Sequence, residues 1–146
     1  MKRFTAILTG LTLAVLLSAN AQADQHGDDK RLFVSVTGSA AQDRAMPLVL
    51  ANQALDQGAQ VRVLLCGAGG EIAVADHELD ALAPRGLTPR DLLNRLIQHE
   101  VTVEVCAIFL PNTDYTEDDL IDGVGVANPG DVAAWMMAPG TRLFGN

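Results

Sequence analysis

The chain has 146 residues, 10 Lys and Arg against 18 Asp and Glu, and a formal charge of −8. That length suffices for one domain with a real core. The acidic balance excludes nucleic acid and an anionic membrane surface as partners, since either would repel the chain.

The N-terminus is set apart from the rest. Lys2 and Arg3 form a positive segment, Ala6 to Leu17 is apolar apart from Thr and Gly, and Ala21-Gln22-Ala23 supplies a small-x-small cleavage site. Together these read as a secretory signal peptide over residues 1–23. The apolar run is shorter than the roughly 20 residues of a membrane span, and no cysteine follows it for lipid attachment. Cleavage after Ala23 leaves 123 residues carrying −10, destined for the periplasm or for secretion. No later segment is apolar for long enough to span a bilayer, so no membrane partner is expected after cleavage.

Residues 24–30 read as a flexible polar leader, and residues 31–146 as a single domain. After cleavage the new amine of Asp24 and the imidazole of His26 have the spacing of a square-planar copper site. A solvated tail is the simpler reading, and neither metal nor cofactor is expected.

Arg31 to Thr37 reads as the first strand and Gly38-Ser39 as the turn leaving it. Asp43 to Gln57 has helical spacing, with Pro47 suited to the first turn and Gly58 to the stop. Gln60 to Cys66 is a second strand, which closes a βαβ unit with parallel strands and a right-handed crossover. Cys66-Gly67-Ala68-Gly69-Gly70 lacks the Lys-Ser/Thr and the spacing of a phosphate loop, and predicts a flexible turn with several positive-φ positions. Ile72, Ala75, Leu79 and Leu82 could line one face of a loose helix over 71–82. Within it, Asp76-His77-Glu78 point about 100° apart and do not converge on a metal. Thr88-Pro89-Arg90-Asp91 is a strong helix start, followed by a buried stripe of Leu92, Leu93, Leu96 and Ile97.

Val101 to Pro111 is the stretch around which the chain is organised. Its β-branched run predicts a central strand covered on both faces and ending at the thiol of Cys106. Glu104 interrupts the run and requires a partner if it is buried. Thr116 followed by Glu117, Asp118 and Asp119 predicts a short helix to about Gly123. Val124 to Ala127 is a short strand, Pro129 to Met137 a helix and Thr141 to Phe144 a final strand. Trp135, Met136 and Met137 suit core or interface equally. Glu104, Asp114, Glu117, Asp118 and Asp119 would raise a thiol pKa at Cys106, whereas the Thr116 helix start would lower it. Arg142 is a candidate counter-charge.

Gly58 to Gly67, Val101 to Cys106 and Asp119 to Val124, with Trp135 in the closing segment, together resemble the DsrE/DsrF-like proteins over about Leu32 to Phe144. The resemblance implies an α/β fold: a three-layer α/β/α sandwich on a mainly parallel sheet, with flavodoxin-like strand order. It implies a homo-oligomer, trimer or hexamer, and sulfur carried as a persulfide on a cysteine that matches Cys106. A sulfur donor or acceptor protein would then be the partner. The alternative is a non-catalytic oligomeric binding module in which Cys106 is structural. In the expected strand order the first strand separates the two cysteine-bearing strands, so Cys66 and Cys106 would lie about 9.6 Å apart. That is beyond the roughly 7 Å limit for a disulfide.

Overall fold

The computed structural model describes residues 30–145 as a five-stranded parallel sheet with three helices. The expected signal peptide, its cleavage site and the leader through Asp29, His26 included, lie outside the described residues. Among the described residues no helix is long and apolar enough to cross a membrane.

Strand β1 (Arg31–Val36), helix α1 (Ala41–Asp56) and strand β2 (Gln60–Leu65) form the expected βαβ unit. The helix starts earlier than its apolar spacing suggests, because the Arg44 N–H already bonds the Ala40 carbonyl at 3.0 Å. Pro47 therefore stands in the second turn rather than the first, and its missing N–H removes one bond from the helical ladder. Helix α2 (Pro89–Gln98) begins where its cap predicts. The Asp91 N–H reaches Thr88 Oγ1 at 3.2 Å, and the Thr88 N–H reaches Asp91 Oδ2 at 2.8 Å. Strand β3 (Thr102–Val105), strand β4 (Val124–Val126), helix α3 (Pro129–Met136) and strand β5 (Thr141–Gly145) complete the order.

All neighbouring strands are parallel, in the order β4-β3-β2-β1-β5. The α/β class and the parallel sheet agree with the sequence reading. The flavodoxin-like order does not: β3 pairs with β2, and β1 lies between β2 and β5. Crossover handedness accounts for the layers. The steps β1 to β2 to β3 to β4 all move one way across the sheet, so right-handed crossovers place α1 and α2 on the same face. The return from β4 to β5 moves the other way and places α3 on the opposite face. A polar cross-link holds α1 and α2 side by side, and so holds β3 beyond β2. Asn52 donates to the Leu48 carbonyl at 2.8 Å and the Leu92 carbonyl at 3.0 Å, and accepts from Arg95 at 2.7 Å.

Strand alternation sorts the core. Val34, Val36, Val61, Val63, Leu65, Val103 and Val105 face α1 and α2, where they meet Leu48, Leu93 and Leu96. Each fully buried Leu or Val there contributes about 1.5–3 kcal/mol. On the other face a smaller cluster joins Phe33, Ala127 and Val132, with Trp135 and Met136 packed against it. The Arg31 guanidinium lies 4.5 Å over the Trp135 ring. Met137, by contrast, is 84% exposed.

Four local expectations are corrected. Strand β3 is only four residues long and is fully buried on one face alone, at Val103 and Val105, while Thr102 is exposed and Glu104 partly buried. The glycines after Cys66 form a 3₁₀ turn (Gly67–Ala73) rather than a flexible loop, and of those inside it only Gly67 has positive φ, at 52°. Gly69 and Gly70 are there for closeness: a Cβ on Gly69 would stand 2.1 Å from the Val36 carbonyl oxygen, and one on Gly70 2.4 Å from the Phe109 ring. No helix follows over 74–82, where the Arg90 side chain takes the carbonyls of Ile72, Val74, Ala75 and His77. Finally, the acidic segment after Thr116 makes only a three-residue 3₁₀ turn (Glu117–Asp119).

Candidate functional site

The β2–β3 register pairs Leu65 with Val105, so the next residues, Cys66 and Cys106, stand side by side at the C-terminal edge of the sheet. Both are still anchored by the ladder. The Cys106 N–H donates to the Leu65 carbonyl at 2.8 Å, and the Cys66 N–H to the Val36 carbonyl at 2.9 Å. Adjacent strands lie about 4.8 Å apart, so the expected separation of two strand spacings is replaced by one. The two side chains are close enough for each thiol to influence the other, and both cysteines are free and partly exposed.

The pair is not symmetric. Burial pushes the Cys66 thiol up, and its hydrogen bond to Cys106 and the charge at Cys106 push it further, from 9.0 to about 12. The Cys106 backbone N–H opposes this only in part. Cys66 therefore keeps its proton at neutral pH. Cys106 is the other thiol of the pair, and it opens into an apolar groove of about 340 Å³ on the α3 face. Leu64, Ile108, Ala127, Val132 and Met136 line that groove.

Arg62 and Glu104 brace the two strands immediately before the cysteines. Arg62 Nε and Nη2 donate to Glu104 Oε2 at 2.9 and 2.7 Å, and Nη1 reaches the Asp131 carbonyl at 3.3 Å. The partner that Glu104 requires is thus in its own chain, on the neighbouring strand. The pair is largely dry, with side chains 10% and 15% exposed.

The other charges expected around Cys106 act elsewhere. Asp119 accepts from the Thr116 N–H at 2.7 Å and from its hydroxyl at 2.8 Å. That turn is too short to present a helix dipole to a sulfur. Asp114, Glu117 and Asp118 are exposed and do not line the groove into which Cys106 opens. Arg142 lies on β5 in register with Leu32, with β1 and β2 between its strand and β3. It is not a counter-charge to Cys106.

A second, polar feature escaped the sequence reading. A cleft of about 670 Å³ on the α1 side is lined by Ser39, Arg44, Asp76, His77, Thr88 and Arg90. Glu71, within the glycine turn, receives Arg44 and stands 3.3 Å from His77 Nε2. Arg44 and His77 are 33 residues apart in sequence, and no local spacing signals their meeting. The cleft and the cysteine groove share no lining residue.

These features define an α/β protein with two free thiols on adjacent strand ends. The YchN protein of E. coli has the same fold: TM-score 0.66, 17% identity, covering 81% of this chain and 99% of that one. MTH1491 from Methanobacterium thermoautotrophicum, described as a protein of unknown function, also matches, with TM-score 0.58, 17% identity, and 81% and 100% of the two chains covered. The fold is therefore the DsrE-like fold that the sequence resemblance implied. No family model and no curated protein matches the sequence.

Proposed function

We propose that the chain is an exported sulfur carrier in which Cys106 holds the transferred sulfur as a persulfide. The observation that carries this reading is the position of Cys106: partly exposed, at the C-terminal edge of a parallel sheet, and opening into an apolar groove. In the loading step a Cys106 thiolate attacks the outer sulfur of a donor persulfide. The Cys106–sulfur bond forms, the donor S–S bond breaks, and the donor leaves as its thiolate. The groove surrounds the bound sulfur with apolar side chains, and Cys66 beside it holds its proton and does not compete for the donor.

Export rests on the three-part N-terminal signal. A homo-oligomer is part of the proposal, and the exposed Ile108, Met137 and Leu143 suit a contact between copies. A sulfur donor or acceptor protein would dock at the mouth of the groove.

The test is intact mass after anaerobic treatment with inorganic polysulfide and desalting. The Cys66→Ser protein is expected to gain one sulfur atom, removable with dithiothreitol, and the Cys106→Ala protein to gain none. No gain in Cys66→Ser, or an equal gain in Cys106→Ala, overturns the assignment and leaves Cys106 as groove lining.

A further inference from the structure

We infer that Cys66 is a resolving cysteine, which discharges the Cys106 persulfide as hydrogen sulfide and leaves a Cys66–Cys106 disulfide. The inference rests on the carrier reading and extends it to a second residue. Its basis is the register: the Leu65–Val105 pairing, extended by the Cys106 N–H to the Leu65 carbonyl at 2.8 Å, places Cys66 and Cys106 side by side. One strand spacing, about 4.8 Å between Cα atoms, falls within the roughly 4.4–6.8 Å span of disulfides. Both residues are the last of their strands held by the ladder, and the chain turns away at Gly67 and Ala107.

The step balances without an outside oxidant. The Cys66 sulfur attacks the inner sulfur of the persulfide, forming the Cys66–Cys106 bond and breaking the bond to the outer sulfur. The outer sulfur leaves with the electron pair and takes up the proton that Cys66 gives away. The carried sulfur is reduced to sulfide, and the two cysteine sulfurs are oxidised to the disulfide. Return to the dithiol requires a dithiol reductant.

Because Cys66 is protonated near neutral pH, its attack is slow unless the pH rises. A sulfur that meets an acceptor promptly is passed on, and one that lingers is released. The pair thus sets a lifetime on the loaded state.

The test compares wild-type protein with Cys66→Ser, both treated anaerobically with inorganic polysulfide, followed by alkylation and intact mass. The expected result is a wild type two hydrogens lighter, with no alkylatable thiol, beside a Cys66→Ser protein heavier by one sulfur and one alkyl group. Omitting polysulfide should leave the wild type as the dithiol. If the wild type instead keeps the added sulfur as stably as Cys66→Ser, Cys66 does not resolve and only the carrier reading stands. If Cys66→Ser gains nothing, the carrier reading fails and this inference fails with it. A disulfide that forms without polysulfide also overturns it, since the persulfide would then play no part.

Discussion

Gly69→Ala is expected to destabilise the protein by about 3 kcal/mol or more, the upper end of overpacking costs. The new Cβ would lie 2.1 Å from the Val36 carbonyl oxygen and 2.6 Å from its carbon. These are backbone atoms at the end of β1, where Val36 is fully buried, so neither side can yield as a flexible side chain would. The glycine turn must move away from the sheet, taking the Cys66 end of β2 with it. Gly67→Ala, at the first residue of the same turn, provides the control. There nothing lies within 4 Å of an added Cβ, and only the positive φ of 52° opposes it. Gly67→Ala should therefore cost about 1–2 kcal/mol. Urea unfolding of both variants checks the contrast, and equal losses would show that the turn does not pack against β1 in this way.

Arg62→Met should cost about 3–5 kcal/mol, because it strands the Glu104 carboxylate in a largely dry site. It also removes the link from β2 to the Asp131 carbonyl at the start of α3. For a domain of this size such a loss lowers Tm by on the order of 10 °C. The double variant Arg62→Met, Glu104→Leu should recover most of it, since an apolar pair leaves no unpaired charge. Calorimetry of the three proteins decides the point. If the double variant is no more stable than Arg62→Met, the stranded charge is not the source of the loss.

Much of the fold was legible in the sequence, and for local reasons. The capping box at Thr88 and Asp91, the alternation of β1 and β2, and Pro129 opening α3 each act over a few residues. Strand order was not legible, because it depends on where α2 packs. That choice is held by Asn52 and Arg95, 43 residues apart. The error carried into the site: with β1 placed between the two cysteine strands, the thiols were expected apart, whereas direct β2–β3 pairing brings them together. Cys106 itself was legible as a strand-end thiol. Its relation to Cys66, the Arg62–Glu104 brace and the Arg44–Glu71–His77 cluster all arise from pairings distant in sequence. The glycine turn was misread for a different reason. Glycine serves both flexible and crowded backbone, and only the position of Val36 and Phe109 distinguishes the two.

The division of labour between the two thiols can be measured directly by site-resolved alkylation. Reduced protein is pulsed with iodoacetamide at a series of pH values, and the modification of each cysteine is read by peptide mass. At pH 8 Cys106 should be modified well ahead of Cys66, and Cys66 should gain about tenfold in rate per pH unit up to its pKa of about 12. Modification of Cys66 at pH 8 as fast as that of Cys106 would contradict the account, because Cys66 would then not be the thiol that keeps its proton.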